Sequence, residues 1–241
     1  MSNMNPYASH ATYDVAQASE AERTTFIHKT YMHLGGAIGL FVGLEFLLFN
    51  LVPAATMESL VTRMLSGYMW LLVLGAFMVV SWLARSWAEG GASRGAQYAG
   101  LSLYVVAEAI IFLPILYIAM RISPDIPAMA GVLTLVTFGG LTVMVFVTRV
   151  DLHWMGKYLF MAGLLAMGLI LCAVLFGFNL GVLFSGVMVA LAAGYILYDT
   201  SNVMHHYRTD QYVAASLALF ASVALLFWYV LRLVMAFSSN D

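Results

Sequence analysis

Residues Tyr158–Phe176 read YLFMAGLLAMGLILCAVLF, a stretch of 19 residues without a single charged side chain. An α-helix rises 1.5 Å per residue, so this stretch would be about 28 Å long, close to the roughly 30 Å hydrocarbon thickness of a bilayer. In lipid the backbone must satisfy its own hydrogen bonds, and a helix does so within one segment. The stretch therefore predicts a transmembrane helix.

Six other apolar runs of similar length accompany this one. Of the 241 residues, 63% are hydrophobic and only 9% are charged, whereas a soluble domain has about 25% charged residues with which to cover its surface. The sequence predicts an all-α polytopic membrane protein, with a seven-helix domain over residues 26–241 and a polar N-terminal tail over residues 1–25. The seven runs are Tyr31–Leu51, Gly67–Ala84, Ala96–Met120, Pro127–Thr148, Tyr158–Phe176, Leu180–Met204 and Tyr212–Phe237.

The distribution of basic residues predicts the orientation of the chain, because loops on the cytoplasmic side are enriched in Lys and Arg. A cytoplasmic N-terminus places seven basic residues on that side and three on the other, so we expect the N-terminus inside and the C-terminus outside. The seven are Arg23, Lys29, Arg85, Arg94, Arg149, Lys157 and Arg208, and the three are Arg63, Arg121 and Arg232.

Several functional classes are disfavoured by composition. A formal net charge of -2 with scattered basic residues gives no footprint for nucleic acid. A retinal protein needs a membrane lysine for its Schiff base, but Lys29 and Lys157 lie at water boundaries. The sequence contains no nucleophile motif, and its one cysteine, Cys172, cannot form an intrachain disulfide or a Cys-rich metal centre. We therefore expect no enzyme activity, no resident cofactor and no firm metal site.

Five ionisable residues fall within the apolar runs, where each costs at least about 2.5 kcal/mol near a helix centre. The predicted depths suggest an inner pair of Asp199 with Arg85, and an outer pair of Glu45 or Glu108 with Arg232. Arg85 could instead extend its guanidinium to the headgroups. Asp199 is too short to do so, which leaves a functional role or a static ion pair.

Small residues predict where helices approach closely. Gly35, Gly39 and Gly43 recur every four residues in the first run, a spacing typical of helix packing in lipid. Pro114 and Gly194 are expected to mark bends or close contacts.

Motifs over most of the chain resemble the Bax-inhibitor (transmembrane BAX inhibitor motif) family, and the chain looks like a bacterial member. The most specific is Tyr195–Thr200, which is similar to the Tyr-Asp-Thr signature of the sixth helix of the family. Further matches are Phe26–Tyr31, Glu108 followed by Pro114–Leu116, Thr137–Phe138 leading to Thr148–Leu152, and Trp228–Leu233.

The resemblance implies six helices around a central seventh, with a pH-sensitive pore that leaks calcium across a bacterial inner membrane. Its gate would be two aspartates on the last two helices beside an arginine from the second. Asp199 matches the first aspartate and Arg85 the arginine, while Arg232 matches an arginine near the end of the last helix. Ser222 stands where the second aspartate is expected, so the site lacks the two-carboxylate proton switch.

Two functions follow as expectations. The first is a pH-responsive calcium or cation leak, with Asp199, Arg85, Ser222, Glu108, Arg232 and Glu45 along the ion path and Asp199 as a weak calcium site. The lipid bilayer and calcium or protons would be its partners. The alternative is a non-transporting regulator that binds a membrane-anchored ATP-dependent protease or another membrane partner, with residues 1–23 as the handle.

Overall fold

The computed structural model describes residues 14–88 and 93–238, and within these ranges the chain forms eight α-helices. Residues 1–13, 89–92 and 239–241 lie outside this description. The helices are α1 (Glu20–Leu51), α2 (Ala54–Leu65), α3 (Met69–Ala88), α4 (Arg94–Ile122), α5 (Ile126–Thr148), α6 (Gly156–Phe176), α7 (Gly181–His205) and α8 (Tyr212–Ser238).

Seven of these helices in the described ranges are long and apolar enough to cross a membrane. They coincide with the seven apolar runs, which confirms the predicted fold class. The eighth, α2, is too short to cross, and its polar residues made it look like a connecting loop. Its buried side chains, Met57 and Val61, pack against Leu113 of α4, so α2 is held on the bundle by one apolar face.

The first helix begins earlier than its apolar run indicates. Ser19 caps α1, because its hydroxyl accepts from the backbone N–H of Glu22 while the Glu22 carboxylate accepts from the backbone N–H of Ser19. Before the cap, buried Val15 donates its backbone N–H to the Tyr207 carbonyl between α7 and α8. Part of the segment predicted as a polar tail is therefore helical, and residues 1–13 of that segment lie outside the description.

The last transmembrane helix lies at the centre of the bundle. α8 packs against α1, α3, α4, α5 and α7, and together with α4 it is the most buried of the spanning helices. α6 packs mainly on α7 and lies at the periphery. We call the end of the bundle at which α1 begins the N-terminal face; α3, α5 and α7 end there, and α4, α6 and α8 begin there.

Glycines outside the first helix permit close helix contacts. A Cβ on Gly100 of α4 would lie 2.5 Å from the carbonyl oxygen of Ala84 in α3, and one on Gly194 of α7 would lie 2.9 Å from Leu159 of α6. The close-contact prediction for Gly194 is confirmed. The packing prediction for Gly35, Gly39 and Gly43 is wrong within this chain, because a Cβ there would meet no described atom within 4 Å.

Candidate functional site

The centre of the candidate site is a direct contact between α7 and α8. Asp199 lies in the last two turns of α7, and Ser222 faces it from α8. The Ser222 hydroxyl donates a hydrogen bond of 2.5 Å to the Oδ2 atom of Asp199. Asp199 is 8% exposed and Ser222 is 6% exposed, so the carboxyl group is held inside the bundle and does not face lipid. The structure thus brings into contact the two residues that the resemblance implies as gate positions.

A second polar group lies beside this pair, on α3 and α4. The guanidinium carbon of Arg85 lies 5.7 Å from the centre of the Tyr104 ring, which is the range of a cation–π contact. Tyr104 and Glu108 are four residues apart on α4, both are buried, and the Tyr104 hydroxyl interacts with the Glu108 carboxyl. Arg85 is exposed, yet it exerts an electrostatic attraction on both Glu108 and Asp199.

The predicted ion pairs do not form. Within residues 14–88 and 93–238, the two ion pairs shorter than 4.0 Å are His206 with Asp151 and Arg208 with Asp210. Arg85 therefore acts on Asp199 from a distance, and the outer pair of Glu45 or Glu108 with Arg232 is wrong. Depth alone suggested that pair, whereas the rotation of α4 turns Glu108 towards Tyr104 and Arg85.

Glu45 stands apart from the other charged residues. It is buried, at 7% exposure, in the half of α1 remote from the N-terminal face. Neither of its carboxyl oxygens has a hydrogen-bond partner in the described part of the chain. Arg232, in the second half of α8, is half-buried and acts electrostatically on Tyr229, one turn before it.

Three hydroxyl groups near Asp199 were missed as a group at the sequence level. Tyr31 of α1 lies close to Thr142 of α5, to Thr200 of α7 and to Asp199 itself. Tyr31 and Thr200 each lie within a motif quoted for the resemblance, but neither motif indicates that they face the same interior space. The only signal in the sequence was that each is a polar residue within an apolar run. That signal does not show which way the residue faces around its helix, so it does not predict that the three lie together.

The N-terminal face carries a separate cluster of polar side chains around the α5–α6 connection. The His206 imidazole lies 2.9 Å from the Asp151 carboxylate and stacks near His153, with ring centres 4.4 Å apart. The backbone N–H of His153, and then the His206 imidazole, hold the pKa of Asp151 below its usual value. Across the described residues, no three His, Cys, Asp or Glu side chains are arranged to hold a metal ion.

The central site has the chemistry of a single buried carboxyl group with one strong donor. Asp199 can gain or lose a proton, while Ser222 supplies a hydrogen bond but no second ionisable group. Glu108 is a second buried acid close by, and exposed Arg85 attracts both carboxyl groups electrostatically. An ionisable group inside a membrane bundle is a functional-site hypothesis by default.

Comparisons with known proteins agree with the resemblance. The sequence model of a family described as inhibitor of apoptosis-promoting Bax1 matches residues 23–239. A Schizosaccharomyces pombe (strain 972) protein named Bax inhibitor 1 is 26% identical over 239 residues, which cover 95% of this chain and 83% of the relative. Two uncharacterized Neisseria meningitidis proteins, from serogroups A and B, are each 22% identical over 247 residues, covering 96% of this chain and 99% of their own length.

Proposed function

Since the chain belongs to the Bax inhibitor family, as the match over residues 23–239 shows, we propose that it is a pH-responsive leak for calcium or a similar cation. The gate is the Asp199–Ser222 pair between α7 and α8, and Arg85 is its counter-charge. The membrane is a bacterial inner membrane, with the N-terminal face towards the cytoplasm. The basic residues expected on that side support this orientation.

The observation that carries the proposal is the position of Asp199. A buried carboxylate in a membrane helix is costly, and the hydrogen bond of 2.5 Å from Ser222 stabilises it at the contact of the central helix with its neighbour. A change in the protonation or ligation of Asp199 would alter that hydrogen bond. Because α8 contacts five other helices, movement at this contact can alter the packing of the bundle.

The serine determines how such a gate responds. Two carboxyl groups in contact titrate as a coupled pair, whereas Asp199 with Ser222 exchanges one proton. Calcium prefers six to eight oxygen ligands with several carboxylates, so one carboxylate and a hydroxyl give a weak site in which water supplies the other ligands. Weak binding suits a passing ion, since a conducted ion must also leave.

Calcium flux into proteoliposomes, measured over a range of pH, tests the proposal. We expect Asp199→Asn to reduce the flux by at least about ten-fold or to abolish its pH dependence, because the variant keeps the shape but cannot ionise. Ser222→Asp should shift the pH response, because it creates two carboxyl groups in contact. Asp125→Asn is the matched control, since Asp125 is exposed at the start of α5.

Two outcomes separate the proposal from its alternative. Flux and pH dependence that are unchanged in Asp199→Asn would show that Asp199 is not the gate. A wild-type protein that is folded but passes no cation would contradict the leak and favour the regulator that binds a membrane-anchored protease. Deletion of residues 1–23, assayed separately for flux and for protease association, would then test that regulator.

A further inference from the structure

An open cleft lies between α1 and α5 near the N-terminal face. Its volume is about 420 Å³, and its lining consists of Ile27, His28, Tyr31, Met32, Thr142 and Phe146. Exposed His28 lies at its rim, just before the apolar run of α1 begins. The Tyr31 and Phe146 rings, with centres 5.8 Å apart, narrow the cleft from its two sides. The cleft is thus lined by the first turns of the apolar run of α1 and by the end of α5 at the N-terminal face.

Buried hydroxyl groups lie behind the lining of the cleft. The hydroxyl oxygens of Tyr31, Thr142 and Thr200 are all inaccessible to solvent, and none has a hydrogen-bond partner in the described ranges. Tyr31 is close enough to interact with both threonines and with Asp199. Three hydroxyl groups from α1, α5 and α7 therefore form a polar lining between the cleft and the buried carboxyl group.

Such hydroxyl groups are unfavourable in hydrocarbon. Each one without a partner is energetically costly, and a threonine in a membrane helix ordinarily bonds to the carbonyl four residues earlier. Thr134 of α5 does so with Ala130, at 2.8 Å, whereas Thr142 of the same helix does not. The Thr142 hydroxyl thus does not bond to its own backbone and lies within reach of the Tyr31 hydroxyl, and water or a hydrated cation that enters the cleft has the chemistry to bond to both.

We propose that the cleft between α1 and α5 is a water-filled side entrance that brings water and hydrated cations from the N-terminal face to Asp199. Tyr31, Thr142 and Thr200 replace part of the hydration shell along this path, and the Tyr31–Phe146 contact is its narrowest point. The cation part of this inference depends on the proposed function; the presence of water does not. The path is separate from the Arg85–Tyr104–Glu108 group on α3 and α4.

Cysteine reactivity in lipid vesicles tests the side entrance. In a Cys172→Ser background, Thr142→Cys and Val143→Cys are compared for their reaction with a charged methanethiosulfonate reagent. The two positions are adjacent, so they lie at the same depth but about 100° apart around α5. Thr142 is 8% exposed and Val143 is 60% exposed. If exposure alone determined the reaction rate, Val143→Cys would react faster than Thr142→Cys.

The proposal expects the reverse order. Thr142→Cys should react at least about ten-fold faster than Val143→Cys, because thiolate forms in water and scarcely in lipid. Phe146→Ala, which widens the narrow point, should increase the Thr142→Cys rate further. If Thr142→Cys reacts no faster than Val143→Cys, the side entrance does not exist, and the cleft is dry or holds a lipid chain. Each variant is first checked for monodispersity in detergent.

A blocking variant separates this inference from the leak itself. Ile27→Trp fills the cleft from α1, and it should lower both the Thr142→Cys reaction rate and the cation flux. Fast labelling without any wild-type flux would leave the side entrance standing and contradict the leak. Flux that persists while the Ile27→Trp variant blocks labelling would retain the leak and overturn the side entrance as the route to Asp199.

Discussion

Asp199 and Glu45 are both buried carboxyl groups in membrane helices, but their surroundings differ sharply. Asp199 accepts a hydrogen bond from Ser222, is attracted by Arg85 and lies near the Tyr31 hydroxyl, which is within reach of two threonine hydroxyls. Glu45, with similar exposure, has no hydrogen-bond partner for either oxygen in the described part of the chain. The bundle therefore provides polar contacts for one acid and isolates the other.

This difference indicates which of the two carboxyl groups the fold can stabilise in its charged form. A carboxylate needs donors or a counter-charge when it leaves water, and the region around Asp199 offers both. Among the described residues around Glu45 there is neither, so that side chain lowers the stability of the bundle whether it is charged or protonated. The region around Asp199 therefore has the polar contacts of a functional site, whereas burial of Glu45 lowers the stability of the fold without such contacts.

The largest effect is expected when the donor of Asp199 is removed. Ser222→Ala should lower the free energy of unfolding by about 2 kcal/mol, because a hydrogen bond to a charged group contributes about 1.5 to 3 kcal/mol. Unfolding in mixed detergent micelles measures the loss. Ser185→Ala is the control: Ser185 is at least as buried as Ser222, and in the described part of the chain its hydroxyl donates to the Gly181 carbonyl of its own helix, at 3.4 Å. Equal losses in both variants would show that Asp199 gains nothing particular from Ser222.

Replacement of the isolated acid should act in the opposite direction. Glu45→Leu is expected to stabilise the protein by about 1 to 2 kcal/mol, because it removes two unpaired buried oxygens and keeps the side-chain volume similar. Thermal unfolding in detergent measures the gain. Glu58→Leu, on the exposed side of α2, should change stability by less than about 0.5 kcal/mol. A destabilised Glu45→Leu variant would mean that Glu45 has a partner after all and would erase its contrast with Asp199.

Much of the fold was predictable because lipid imposes a simple rule on sequence. Each spanning helix needs a long apolar run, and the run at Tyr158–Phe176 alone indicates the class. The rule gives no information on α2, whose stability comes from packing against Leu113 of α4. It also misplaces the start of α1, because the cap formed by Ser19 and Glu22 extends the helix through polar residues into water.

The residues of the site were predictable where a sequence motif identifies them. They were not predictable where their contacts depend on how the helices are rotated and packed. The resemblance located Asp199 and Ser222, and the structure places them in contact. The pairing of Glu108 with Arg232 failed because the rotation of a helix about its axis cannot be read from depth. The same limit hid Tyr31 and its neighbouring threonines, which become a group only when three separate helices pack together.

A third carboxylate, on the surface, sharpens the comparison with the smallest expected effect. Asp151 accepts from the His153 backbone N–H at 2.9 Å and lies at the same distance from His206. These donors lower its pKa in the folded state, so its contribution to stability is present above the unfolded value of about 3.9 and is lost as the pH falls through the folded value. Half of the side chain is exposed, which limits the contribution to about 0.5 kcal/mol.

Asp151→Asn should therefore lower the free energy of unfolding by about 0.5 kcal/mol at neutral pH and by progressively less below about pH 4. Unfolding of both proteins at a series of pH values measures the difference. Asp125→Asn serves as the reference, since Asp125 makes no side-chain hydrogen bond to the start of α5 and should give no such trend. A loss that stays constant down to the lowest pH would show that Asp151 stabilises the protein through packing. In that case the His153 backbone N–H and the His206 imidazole would not account for its contribution to stability.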